Sequence, residues 1–191
     1  MSSSILRPSG DAGALAGEIA SREHIAQFYE NDAVLIDTLT RFVGGGLKAG
    51  ESAIIIATPK HLRLLEERLA DTDVDLVGAI LEDRYIALDA EATLARFMVE
   101  GWPDEERFVR LLAQLLKRAT VKNRPVRAFG EMVALLWDRG ETVATLQLEH
   151  LWNKVCHARP FSLFCAYPKT GYTRKAQASF EEICAAHSRV I

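Results

Sequence analysis

The chain has 191 residues, of which 49% are hydrophobic and 26% are charged, and its net charge is −3. This length suits one domain with a sizeable core, and the composition excludes bulk disorder, collagen and coiled coil. The negative charge argues against a general nucleic-acid-binding protein, because such proteins are usually basic.

The cysteines and the apolar runs indicate the compartment. Cys156, Cys165 and Cys184 are an odd number and form no CxxC pair, which is typical of a reducing compartment. No apolar stretch is long enough for a signal peptide or a membrane span. We therefore expect a cytoplasmic protein with no direct contact with membrane or nucleic acid.

Residues 1–20 are rich in Ser, Gly and Ala and hold few large apolar side chains, so we expect a flexible N-terminal tail. Residues 21–191 read as a single domain in which strands alternate with helices. The predicted strands are 53–57, 85–88, 125–130 and 161–167. The predicted helices run from Asp32 to the glycines at 44–46, from Pro59 past Leu69, from Asp89 through Met98, from Asp104 past Leu116, over 131–138, over 141–157 and over 174–187.

Alternating strands and helices favour a parallel sheet with helices on both faces. The short run 53–57 is continuously apolar and includes the β-branched Ile54, Ile55 and Ile56, as expected of a strand buried on both sides. The predicted fold class is α/β, a three-layer sandwich around a mostly parallel central sheet.

Residues 45–52 have the glycine spacing of a phosphate-binding P-loop, but Glu51 stands where the loop needs lysine. A P-loop also follows a strand and precedes a helix, whereas here the predicted order is reversed. We interpret these glycines as the end of a helix and a turn.

Open parallel sheets bind ligands beyond the carboxyl ends of their strands. Those ends supply polar side chains from separate segments, namely Thr58 with His61, Asp89, Glu131 and Tyr167. Helix capping is the simpler explanation for Thr58 and Asp89, although a cap can also contact a ligand.

Arg127 lies inside the predicted strand 125–130, where a charge is rare unless it is paired. It either forms a buried ion pair, with Glu131 or Glu149 as partner, or faces a ligand. The sequence leaves both readings open.

No local motif establishes catalysis or metal binding. His150 and His157 lack a recognised zinc-ligand spacing, and Cys165 has no base beside it in the sequence. The aromatic residues, Trp152 among them, either pack in the core or line a small apolar pocket. We expect no metal, no cofactor and no enzymatic activity.

Several stretches together resemble one known family, the MEDS domain, a methanogen/methylotroph sensory domain also found in a dichloromethane-responsive regulator. The most specific stretches are VRAFGEMVALLW at 126–137, LEHLWN at 148–153 and FSLFCAYP at 161–168. The others are 24–29, 46–51, 57–61, 88–90 and 97–104. The resemblance covers about residues 22–190.

The resemblance implies a bacterial or archaeal signalling domain whose relatives occur alone or joined to histidine kinases and transcription regulators. It also implies a degenerate relative of the RecA/KaiC ATPase core, without a P-loop. In that comparison residues 24–32 stand in the place of the P-loop, and Glu131 follows the strand that corresponds to Walker B. The lysine and the Ser/Thr of a P-loop are missing.

The leading hypothesis is a non-catalytic sensor that binds a small organic ligand, such as a hydrocarbon derivative, at the strand carboxyl ends. It would regulate a separate histidine kinase or transcription regulator, and self-association as a homodimer stays open. The expected ligand contacts are His24, Tyr29, Thr58, His61, Arg127, Glu131 and Trp152. Two alternatives remain: a nucleotide-binding RecA-like protein with weak or no ATPase activity, and a ligand-free interaction module in a phosphorelay.

Overall fold

A six-stranded, entirely parallel sheet forms the centre of the protein in a computed structural model that describes residues 23–169 and 177–191. Its strands are β1 (His24–Tyr29), β2 (Ser52–Ala57), β3 (Tyr85–Asp89), β6 (Val126–Gly130), β7 (Ser162–Pro168) and β8 (Arg189–Val190), in the spatial order β3-β2-β6-β7-β1-β8. A separate antiparallel pair consists of β4 (Met98–Val99) and β5 (Trp102–Pro103).

Eight α-helices are described: α1 (Asp32–Lys48), α2 (Pro59–Ala70), α3 (Leu76–Leu81), α4 (Ala90–Leu94), α5 (Glu105–Ala119), α6 (Met132–Asp138), α7 (Thr142–Ala158) and α8 (Gln177–Ala186). Helices α1, α2 and α3 cover one face of the sheet, and α4 to α8 cover the other. The predicted three-layer α/β sandwich with a parallel sheet is confirmed. The tail predicted at 1–20 lies outside the described residues. Within the described ranges, no helix combines the length and the apolar character needed to cross a membrane.

Strand β2 shows how the sequence builds two apolar layers. Side chains alternate between the faces of a strand. Ile54 and Ile56 pack under α5 and α6, whereas Ile55 packs under α1 with Phe42. A strand with both faces covered buries nearly every side chain, which favours apolar residues at successive positions and explains the continuous run that identified β2.

The expectation that Gly44 to Gly46 end the first helix is wrong. Helix α1 continues through them to Lys48, and Gly50, with φ +80°, follows its end. The glycines allow a close approach, because a Cβ on Gly46 would lie only 2.7 Å from Cδ of Arg127. The three consecutive glycines therefore mark a crowded position inside α1 and not its end.

The helix expected from Asp89 through Met98 is also too long. Helix α4 ends at Leu94, and Met98 begins the hairpin β4–β5. Glu100 and Gly101 both have positive φ, 49° and 86°, as a two-residue type I′ hairpin turn requires. The sequence analysis also missed α3 and β8, and it missed β1, in which the polar His24 and Gln27 interrupt the apolar pattern.

Candidate functional site

Three strand ends bring polar side chains together at the carboxyl edge of the sheet. Asp32 begins α1 just beyond β1, Thr58 caps α2 just beyond β2, and Glu131 follows β6. With Lys60 and His61 of the first turn of α2, these residues form what we call the carboxyl-edge cluster.

Glu131 is the buried anchor of this cluster, with 3% of its surface exposed. Its Oε2 accepts a 2.7 Å hydrogen bond from the backbone N–H of Thr58, and its Oε1 lies 2.6 Å from Nδ1 of His61. The backbone N–H of Glu131 donates to the carbonyl of Ile56 over 2.8 Å, which holds the backbone of Glu131 against the end of β2. The end of β6 is thereby tied to the start of α2.

His61 connects the buried Glu131 to the half-exposed Asp32. Its Nε2 lies 3.4 Å from Oδ1 of Asp32, whose other oxygen forms an ion pair with Lys60. Burial lowers the pKa of His61, but the hydrogen bond and charge of Glu131, together with those of Asp32, outweigh burial and raise the pKa. The hydrogen bond from Lys60 lowers the pKa of Asp32.

Tyr29, the last residue of β1, lies close to the cluster and is 7% exposed. Burial raises the pKa of its phenol, and the negative charges of Glu131 and Asp32 raise it further. The phenol therefore stays protonated over the physiological range and keeps its hydrogen-bond donor. The structure thus brings four predicted site residues together: Tyr29, Thr58, His61 and Glu131.

The His61 contacts predict a pH dependence of stability. Because the pKa of His61 is raised above the ordinary histidine value of about 6.5, the folded state binds more protons than the unfolded state above that pH. The stabilisation from His61 is complete below about pH 6.5 and is lost as pH rises through the folded-state pKa. Chemical denaturation from pH 6 to 9 should show the free energy of unfolding of wild type falling relative to that of His61→Gln. Parallel curves for the two proteins would contradict the assignment.

Arg127 does not join the cluster. It is the second residue of β6, towards the opposite end of the strand, and its Nε lies 2.5 Å from Oε2 of Glu51. Its Nη1 also donates to the carbonyl of Phe42 over 3.0 Å. The expected ion pair exists, but the partner of Arg127 is Glu51, and the predicted partners Glu131 and Glu149 are wrong. Glu51 directly precedes β2, the strand that lies beside β6.

We expect Arg127→Ala to lower the free energy of unfolding by about 1.5–3 kcal/mol, since a charge-assisted hydrogen-bond network in a partly buried site is lost. Urea denaturation measures this loss, and Arg63→Ala on the exposed surface of α2 serves as the control. A loss no greater than that of the control would show that the pair with Glu51 contributes nothing.

Two further predicted contacts, Trp152 and His24, lie in the interior. Trp152 on α7 is fully buried, with its ring edge-on to Phe108 at 5.1 Å.

The polar residues predicted at two other strand ends, Asp89 and Tyr167, also have structural partners. Asp89 caps α4 through the N–H of Ala92, and Tyr167 donates its hydroxyl to Glu149.

His24 belongs to a second polar group, which we call the buried polar cluster. It consists of His24, Glu149, Cys165 and His187, whose facing N, O and S atoms all lie within 4.8 Å of one another. Burial is the main cause that lowers the pKa of His24 to about 3, and burial raises the pKa of Glu149. Sequence reasoning missed this cluster because its members are far apart along the chain and share no motif spacing.

A surface groove of about 360 Å³ lies away from both clusters, at residues 101–102 and 140–144. Trp102 and Val143 contribute exposed apolar surface there, 53% and 62% of their respective areas. None of the seven expected contact residues lines it.

The connection from β1 to α1 bears on nucleotide binding. It consists of Glu30 and Asn31 alone, and the Asn31 side chain caps α1 by accepting from the N–H of Val34. A P-loop wraps phosphate with about eight residues that are rich in glycine and include a lysine. A two-residue connection with one acidic and no basic side chain offers neither the length nor the charge for that task.

Comparisons with known proteins agree with this architecture. An uncharacterised protein from Pyrococcus horikoshii, crystallised in complex with an unknown peptide, superposes with a TM-score of 0.63 at 16% identity, over 92% of this chain and 78% of that one. A KaiC-like protein from the same archaeon gives a TM-score of 0.53 at 13% identity, over 80% of this chain and 65% of that one. At these identities the likeness concerns the fold alone.

Sequence comparison is more specific. The chain matches none of the curated proteins with which it was compared. The family model of the methanogen/methylotroph, DcmR sensory domain matches residues 23–188, which include both clusters and nearly all of the described fold. The chain therefore belongs to the MEDS family of sensory domains.

Proposed function

We propose that this MEDS domain is a non-catalytic sensor that binds a small organic molecule at the carboxyl-edge cluster and thereby regulates a separate protein. The observation that carries the proposal is the convergence of Asp32, His61 and Glu131 from three segments at the edge where open parallel sheets bind ligands. Membership of a sensory family supports the sensor role.

The cluster has a buried and an accessible side. The side chains of Glu131 and His61 are 4% and 7% exposed, whereas those of Asp32 and Lys60 are 37% and 65% exposed. A ligand with one polar group would exchange hydrogen bonds with the accessible pair and rest its apolar part against Tyr29. A hydroxylated, carboxylated or halogenated small hydrocarbon fits this combination.

Ligand binding at this edge would change how two helices, α1 and α2, are arranged. Asp32 starts α1 and His61 lies in the first turn of α2, so their contact holds the two helix starts together. A ligand that competes for Asp32 would favour a second arrangement of these helices, and its differential affinity for the two arrangements would drive the switch. We propose a cytoplasmic histidine kinase or transcription regulator as the reader, with a second copy of the chain as the alternative.

A thermal-shift screen tests this function. The panel contains short alcohols, short carboxylates, halogenated one-carbon compounds, and ATP and ADP with Mg²⁺. Selective binding to the native state raises Tm by mass action. We expect a small organic compound to raise the Tm of wild type and of the surface control His150→Ala, but not that of His61→Ala.

The other outcomes contradict the proposal in distinct ways. A shift with nucleotide alone would favour the RecA-like alternative, which the two-residue connection after β1 argues against. No shift with any compound would favour the ligand-free interaction module. An equal shift in His61→Ala would place the ligand elsewhere on the molecule.

A further inference from the structure

The buried polar cluster draws on four separate parts of the fold. His24 begins β1, Glu149 lies in α7, Cys165 lies in β7, and His187 follows α8. All four are buried, with exposed fractions of 4%, 1%, 0% and 9%. Imidazole, carboxylate and thiolate are the side chains that bind Zn²⁺ in proteins.

The spacing of these atoms fits one small cation. Nε2 of His24 lies 3.5 Å from Sγ of Cys165 and 3.4 Å from Oε2 of Glu149, and Nε2 of His187 lies 3.5 Å from the same Oε2. Ligands about 2.0–2.3 Å from a tetrahedral Zn²⁺ are separated by about 3.3–3.6 Å. The three separations are those of the edges of such a tetrahedron.

Hydrogen bonds behind the cluster fix which atom of each imidazole faces inward. Nδ2 of Asn153 donates to the carbonyl of Ala186, so Oδ1 of Asn153 accepts from Nδ1 of His24, at 2.9 Å. Nδ1 of His187 lies 2.6 Å from the carbonyl of Ile183, which can only accept. Both Nδ1 atoms therefore carry the proton, and both Nε2 atoms present a lone pair to the centre. Zinc-binding histidines are held in the same way.

The carboxylate is oriented by a similar contact. The Tyr167 hydroxyl donates to Oε1 of Glu149, which leaves Oε2 facing the two imidazoles. Oε2 of Glu149 and Nε2 of His187 are buried without a hydrogen-bond partner among the described residues. Unsatisfied buried polar atoms are costly, and here two of them point at each other.

We propose that His24, Glu149, Cys165 and His187 bind one Zn²⁺ ion in a closed, four-ligand site. Zn²⁺ replaces the thiol proton of Cys165 and any proton on Glu149, and these protons go to solvent. A divalent cation with one thiolate and one carboxylate forms an electrically neutral centre, which suits full burial. The ion would join the segment after α8 to β1, β7 and α7, independently of the ligand proposed at the carboxyl edge.

Metal analysis of the full chain, produced without a histidine tag in zinc-supplemented medium, tests this site. We expect one zinc per chain that is retained on dialysis, because all four ligands are buried. Cys165→Ala and His187→Gln should each retain less than a tenth of that zinc. Cys156→Ala, which removes a half-buried thiol of α7 outside the cluster, should retain all of it.

A second measurement needs no variant that has to fold. Wild type that is unfolded in chelator and refolded with Co²⁺ should show the strong visible absorption of a tetrahedral site and a thiolate-to-cobalt charge-transfer band. Substoichiometric zinc together with no cobalt spectrum in folded wild type would overturn the proposal. Unchanged zinc in folded Cys165→Ala and His187→Gln would also overturn it, and would place the metal elsewhere.

Discussion

Replacing Glu131 with alanine is expected to lower the free energy of unfolding by about 3–5 kcal/mol, because it leaves two buried hydrogen-bonding groups, the N–H of Thr58 and the imidazole of His61, without their acceptor. The truncation removes the 2.6 Å contact with His61 and the 2.7 Å hydrogen bond from the N–H of Thr58. At about 2–4 °C per kcal/mol for a chain of this size, Tm should fall by about 6–20 °C. Differential scanning calorimetry measures both quantities.

Two variants separate this effect from the loss of any carboxylate. Glu67→Ala changes an exposed glutamate on α2 and should leave Tm nearly unchanged. Glu131→Gln keeps the size and one acceptor oxygen, so its loss should lie between those of the other two variants. If Glu131→Ala is as stable as Glu67→Ala, Glu131 does not anchor the carboxyl edge.

Trp152→Ala should destabilise the protein to a similar extent, by about 3–5 kcal/mol, because it leaves a large cavity in a packed core. The ring is fully buried, contacts Phe108 edge-on, and lies so close to Gly130 that a Cβ there would be 3.0 Å from Cζ2 of Trp152. Urea denaturation of the variant and of wild type measures the difference.

Trp152→Phe is the matched control. The indole Nε1 has no hydrogen-bond partner in the described parts of the chain, so phenylalanine sacrifices no hydrogen bond and fills most of the space. Its loss should be clearly smaller than that of alanine, and ligand-induced Tm shifts should be kept. If Trp152→Phe is stable but its Tm no longer rises with ligand, Trp152 contacts the ligand after all.

The sheet was predictable wherever burial on both faces leaves a continuous apolar run, as in β2. Helix ends were predictable where a cap has one dominant role, as at Thr58. Glycine was ambiguous, because Gly46 serves a close approach to Arg127 while Gly50 follows the helix end. Strand β1 was not predicted, because its polar side chains, such as His24, are buried among partners that the sequence does not reveal.

The carboxyl-edge residues could be predicted because topology alone places parallel strand ends at one edge. The partner of Arg127 could not, since it depends on which strand lies beside β6 and on its register. The buried polar cluster was beyond sequence reasoning for the same reason. Residues 24, 149, 165 and 187 come together only after the sheet order and the path of the last segment are known.

The central claim is that a small organic molecule binds at the carboxyl-edge cluster, and NMR titration of ¹⁵N-labelled protein tests it most directly. The titrant is the panel compound with the largest Tm shift. The account predicts that the backbone amides of Thr58, His61 and Glu131 shift progressively and saturably, while those at 140–144 in the surface groove stay in place. Shifts confined to the groove, or no saturable shift at the cluster, would contradict it.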